Sequence, residues 1–184
     1  MNKISIPKEV FEKMFFQNGG EAIKSLTGQF ITEAPHDSEI QPNAEIEDQE
    51  YVKTKGTVKK AVGETHENGG IEVALDGGDR VLSDHLKVGG ELAKKLSKDF
   101  DIEISAKDTY AKVLDKYLKK IGHTKTTEEL EEVIDELDKQ EKLTKDEATL
   151  AINSDFLMKK INDKGAELDA VEVPKQQMFD LLYA

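Results

Sequence analysis

The period of the apolar residues changes twice along this chain, and those two changes limit its fold more than any other feature. Near the N-terminus Val10, Phe11, Met14 and Phe15 share one helical stripe. From Tyr51 the spacing becomes alternating, and from Val88 it is helical again. Helices, then strands, then helices, in blocks rather than in βαβ alternation, predict an α+β fold. The expected organisation is an N-terminal helical segment (residues 1–31), an acidic linker (32–50), a small antiparallel β-meander with one helix (51–104), a helical subdomain (105–165) and a C-terminal tail (166–184) carrying an apolar docking element.

Local signals support each block. Ser5 and Pro7 suit a helix start, and Asn18-Gly19-Gly20 a helix end, with a shorter helical piece over residues 21–26. Residues 32–50 hold seven acids, no lysine or arginine, and the breakers Pro35 and Pro42, the composition of a linker. In the meander Val52, Thr54, Val58 and Val62 are assigned to one face and Lys53, Lys55, Thr57 and Lys59 to the other. Gly56 is read as a bulge, Glu67-Asn68-Gly69-Gly70 as a hairpin turn, residues 71–75 as the return strand and 80–83 as a third strand.

The helical part opens with Leu92 and Leu96, and Asp101-Ile102-Glu103-Ile104 reads as a short strand rejoining the meander. Ser105 to Asp108 resembles a capping box ahead of the stripe Tyr110, Val113, Leu114, Tyr117, Leu118 and Ile121, closed by Gly122. Thr126 to Glu129 is a second capping box, ahead of Leu130, Val133, Ile134 and Leu137. Thr144 and Ser154 then begin two further helices, the last ending near Gly165. Short loops make these helices antiparallel neighbours.

Composition removes several function classes. The 184 residues are 37% hydrophobic and 35% charged, which supports several small apolar clusters rather than one large core. A net charge of −12 repels nucleic acid and anionic membrane, so no direct contact with either is expected. Arg80 is the only arginine, which leaves little bidentate recognition of phosphate. There is no cysteine, so disulfides, thiolate catalysis and zinc–sulfur sites are excluded. The N-terminus lacks a signal-peptide apolar run, and no window has the length of a membrane span, so a cytoplasmic or virion location is expected.

Catalytic motifs are missing as well. Asp76-Gly77-Gly78-Asp79 lacks the order of a phosphate-binding loop and reads as a turn. The acids of residues 131–138 do not have calcium-loop spacing and read as a solvated helix face. No serine lies in a nucleophile-elbow context. His36, His66, His85 and His123 are far apart in sequence and read as surface residues, with a folded site joining two of them to carboxylates left open. No catalytic, cofactor or metal site is expected, and the chain is not read as an enzyme.

The C-terminus carries the most specific signal. Gln176, Met178, Phe179, Leu181, Leu182 and Tyr183 form a dense apolar cluster where a soluble acidic chain normally ends in a polar tail. With Phe11 and Phe15 they are the expected partner-binding residues. The spacing of Gln176, Phe179, Leu182 and Tyr183 is similar to the sliding-clamp-binding peptides of replication proteins, and to the apolar and acidic C-termini of some phage polymerase and late-transcription factors. It departs from that pattern in having Leu182 where an aromatic is usual. Phe30-Ile31-Thr32-Glu33-Ala34 is similar to the maturation sites cut by prohead proteases of large tailed phages. The resulting expectation is a non-enzymatic, protein-binding component of a multi-subunit assembly such as a tailed-phage virion, bound to copies of itself or to other subunits. The alternatives are an accessory factor recruiting a replication or transcription machine through its tail, and an acidic inhibitor or nucleic-acid mimic.

Overall fold

The computed structural model describes residues 30–31, 42–143 and 147–184. They contain strands β1 (Phe30–Ile31), β2 (Ala44–Ile46), β3 (Tyr51–Thr54), β4 (Thr57–Ala61), β5 (Ile71–Val73) and β6 (Arg80–Leu82). They also contain helices α1 (Gly90–Phe100), α2 (Tyr110–Lys120), α3 (His123–Leu143) and α4 (Glu147–Tyr183). The class is α+β, as the changes of period require. Two compact units are present: a helical unit that includes Gly122–Val171, and a sheet unit made of Gly28–Ile121 together with Glu172–Ala184. Phe11, Phe15 and the capping role of Thr144 lie outside the described residues.

In the sheet unit β3 and β4 form a tight hairpin in which Thr54 faces Thr57. Its two central residues, Lys55 and Gly56, both have positive φ (49° and 82°), the geometry whose twist matches the strands on either side. Gly56 is therefore a turn residue and not a bulge. The turn also reverses the expected faces. Val52 pairs with Lys59 and Lys53 with Val58, so Val52 and Val58 lie on opposite sides of the sheet. The alternation misleads because both faces are covered. Tyr51, Val58 and Leu82 belong to one core, and Val52 and Ala61 to a second.

The strand order is β1-β4-β3-β6, with β1 parallel to β4 and the other pairs antiparallel. β4 thus has neighbours on both edges, and β5 cannot return beside it as the turn at residues 67–70 implies. Instead β5 pairs antiparallel with β2, with Ile46 opposite Ile71, as a separate two-stranded sheet. The expected linker 32–50 is corrected accordingly. Its residues 44–46 are a strand, and Ile46, Glu47 and Glu50 are buried. The signal lost under the acids is Ala44 and Ile46, two inward positions in a strand too short to show a period.

On the other sheet face α1 contributes Ala93 and Leu96, and α2 contributes Ala111, Val113, Leu114 and Leu118. Asp108 Oδ2 accepts from the Ser105 N–H at 2.8 Å, as a capping box requires. The helix cap itself is Thr109, which accepts from Lys112 N at 3.2 Å. Residues 102–104 do not form a strand. They run extended against α1, with the Ile104 N–H donating to Ser97 Oγ. Gly122, at φ 83°, ends α2.

In the helical unit α3 begins at His123, ahead of the expected capping box, and Thr127 Oγ1 donates back to the His123 carbonyl at 2.9 Å. α3 and the first part of α4 are antiparallel: Asn153 bonds Gln140, and Thr126 bonds Glu167. Leu130, Ile134 and Leu137 are buried on α3, and Leu157, Ile161 and Leu168 on α4. Lys164 bridges Glu129 at 2.6 Å and Glu167 at 2.9 Å.

α4 continues through Ser154, Gly165 and Pro174 for 37 residues, so the expected breaks at Ser154 and Gly165 are absent. A glycine inside a helix costs only about 1 kcal/mol, less than burial of either neighbouring apolar stripe contributes. The expected 166–184 tail is thus the end of α4, and from Glu172 it belongs to the sheet unit. Met178, Phe179 and Leu182 are buried in the same core as Tyr51 and Leu82. Phe179→Ala should therefore lower stability by about 3–5 kcal/mol, while Leu181→Ala on the outer side should cost under about 1 kcal/mol, measured by urea unfolding.

Candidate functional site

The terminal segment of α4 divides its side chains between two faces. Lys175, Met178, Phe179 and Leu182 recur at helical spacing and are buried. Val173 and Leu181 point outward, with exposures of 62% and 45%, and Tyr183, 49% exposed, lies at the edge of the buried face. Of the residues expected to bind a partner, Met178, Phe179 and Leu182 are therefore occupied within their own unit. Leu181 and Tyr183 remain at the surface, and Gln176 is half-buried with its amide on Glu172 at 3.1 Å. Tyr183 stacks beside Phe179, and the Arg80 guanidinium lies 4.9 Å from its ring centre.

Asp180 ties this segment to the sheet. Both its oxygens accept from Lys53 Nζ, at 2.8 and 2.7 Å, and Arg80 lies 3.6 Å away. Lys60 similarly reaches Asp115 of α2 at 3.0 Å. The same carboxylate accepts from the Tyr51 hydroxyl at 2.5 Å. Burial, the Asp115 charge and that hydrogen bond all hold the Tyr51 phenol neutral, well above its ordinary pKa. Lys53, which alternation assigned to the face opposite Val58, and Lys60 thus link the sheet to its helices.

A second constellation was not visible as a motif. His66 opens a 3-10 turn (His66–Asn68), Glu45 and Glu47 lie in or just after β2, and His85 follows β6. His66 Nδ1 is 2.6 Å from Glu45 Oε1, and its Nε2 is 3.9 Å from Glu47 Oε1. His85 Nε2 contacts that same Glu47 oxygen. Glu50 Oε2 accepts from the Glu47 N–H at 3.3 Å. Gly70 permits this packing, because a Cβ at its position would collide with the Glu45 side chain. The Glu45 hydrogen bond raises the pKa of His66, and burial raises that of Glu50. The surface assignment of the histidines is thus corrected for His123, which is buried. His66 and His85 are surface residues joined through one buried carboxylate. The cue that could have found them is the pair of short-range acids Glu45 and Glu47 in a strand register that aims them at a glycine turn.

Lys175 is 1% exposed and lies 3.5 Å from Glu172. Burial is the chief cause that lowers its pKa to about 8; Glu172 opposes the shift and Lys59 adds to it.

No family model matches the chain, and no curated protein or solved structure matches it. Among the described residues no helix is long and apolar enough to cross a membrane.

The Lys175 shift has a definite pH consequence. Below about 8 the lysine is charged in both folded and unfolded chains, and its burial costs stability. Between about 8 and 10.5 the unfolded chain binds the extra proton, so stability rises with pH across that window. The stability of the wild type relative to Lys175→Met should rise by about 3 kcal/mol from the bottom to the top of the window, measured by urea unfolding at fixed salt.

Proposed function

We propose that this chain is a non-enzymatic, protein-binding component of a multi-subunit assembly, of the kind a tailed-phage virion contains. The observation that carries this reading is the two-faced terminal helix. One face completes the sheet unit, Val173 and Leu181 are exposed away from it, and Tyr183, one turn after Phe179, is half-exposed at its edge. Anchoring by the inner face removes most of the ordering cost that a free tail would bear on binding. The outer face is then a rigid apolar surface for a copy of the chain or for another subunit, and a cytoplasmic or virion location follows from that role. Recruitment of a clamp by the tail fits less well. Phe179 and Leu182, two positions such a peptide would insert, would first have to leave the core.

The test separates docking from folding. Val173→Asp with Leu181→Asp should abolish co-sedimentation with the parent particle, or the oligomer seen by light scattering. The melting temperature should shift by no more than a surface substitution allows, about 0.5 kcal/mol in stability each. Deletion of residues 174–184 cannot make this distinction, because it also removes Met178, Phe179 and Leu182 from the core. A wild-type chain that is a stable monomer and accompanies no particle at native abundance would count against the assembly role.

A further inference from the structure

Two buried carboxylates, Glu47 and Glu50, lie just beyond β2, and among the described residues no lysine or arginine forms an ion pair with either. What faces them is imidazole. His85 Nε2 contacts Glu47 Oε1, and His66 Nε2 stands 3.9 Å from the same oxygen. On its other side His66 Nδ1 is 2.6 Å from Glu45 Oε1. Both ring nitrogens of His66 thus face carboxylates, and only the doubly protonated ring can donate toward both. Glu50 accepts from the Glu47 N–H at 3.3 Å and from the backbone N–H of Asp84. We propose that His66 and His85 form a protonation-operated clasp on Glu47, which holds the two-stranded β2–β5 sheet in place at neutral and mildly acidic pH and releases it as pH rises.

The clasped element cannot hold itself. β2 and β5 have three residues each, and a two-stranded sheet alone is marginal in water. Its inward side chains, Ile46, Ile71 and Val73, meet Val52 and Ala61 of the larger sheet in a core of only five buried residues. The charges around the clasp are otherwise negative. Glu45 lies opposite Glu72 of β5 in register, Glu67 follows His66, and Asp84 precedes His85. Asp48 is turned aside, onto the Gly63 N–H and the Gln49 amide. Loss of the imidazolium protons leaves these acids facing one another without a cation. The Glu45 hydrogen bond holds the His66 pKa above its ordinary 6.5. The stabilisation from its proton is therefore complete below 6.5 and is lost as pH rises through the folded value. Burial raises the pKa of Glu50, so the folded chain also keeps that proton to a higher pH than the unfolded chain, with the same sign. Release uncovers Val52 and Ala61 on the second face of the larger sheet.

The experiment follows the full chain by NMR from about pH 5.5 to about pH 8.5, the range in which histidine titrates. Ring protons report the titration of each histidine. Amide exchange, corrected for its intrinsic pH dependence, reports the protection of β2 and β5, with α2 as the internal reference. The expected result is a His66 midpoint above 6.5, and protection in β2 and β5 that falls at least about threefold across that same midpoint while α2 keeps its own. His66→Gln and His85→Gln should each reduce the fall. His85 is 70% exposed, so its replacement leaves the core untouched. A histidine with only a structural role would instead lower protection equally at every pH. A His66 midpoint at or below 6.5, a smaller fall, a fall at a different midpoint or one shared by α2, or the full fall retained in either variant would overturn the proposal. The wild-type measurements decide the matter even where a variant fails to fold.

Discussion

The sheet unit depends on a contact its own segment cannot supply. Met178, Phe179 and Leu182 fill the core on one face of the sheet, yet they come from the end of the chain, after the whole helical unit. The hairpin β3–β4 and its neighbours bring Tyr51, Val58 and Leu82 to that face, while α1 and α2 cover part of it. Burying each of the three terminal side chains is worth roughly 1.5–3 kcal/mol. A small sheet unit without them would lose a large part of a marginal stability.

Charge is used in this acidic chain to seat helices on the sheet. Lys53 and Lys60 share a face with Tyr51, Val58 and Leu82, and their partners Asp180 and Asp115 come from α4 and α2. Each pair is half-buried, so neither contributes much stability alone. Their geometry matters more. A lysine between apolar neighbours accepts only one rotation of the helix above it, the one that puts its aspartate within reach. Asp180, 46% exposed, lies at the edge of the buried stripe of Met178, Phe179 and Leu182 and ties that edge of the terminal helix to Lys53 of the sheet.

The α+β class and the stripes of α1 to α3 were legible because long periodic segments average out local noise; the C-terminal cluster was legible as apolar, but not that Met178, Phe179 and Leu182 pack within their own unit. The face assignment of β3 and β4 was not, since a sheet covered on both sides has no solvent face for alternation to mark. The continuity of α4 was obscured by Ser154, which suits a helix start, and by Gly165, which suits a helix end. Packing on both sides of these positions outweighs their propensities. The pairing of β2 with β5 was hidden because each strand is only three residues long. A strand that short has no measurable period, and its partner depends on which edges the larger sheet leaves open.

The least legible region is also the one whose chemistry departs most from its composition. Residues 45–50 read as solvated linker, yet Glu47 and Glu50 are buried and no lysine or arginine ion pair holds either among the described residues. Sequestering carboxylates costs several kcal/mol unless charge or hydrogen bonds compensate. What compensates Glu47 is imidazole, supplied by two separate segments, and what admits Glu45 beside it is a glycine at positive φ. A tether needs none of these devices. Together they fold Glu45, Glu47 and His66 into one hydrogen-bonded cluster against Gly70, a packed arrangement that the composition of residues 45–50 does not announce.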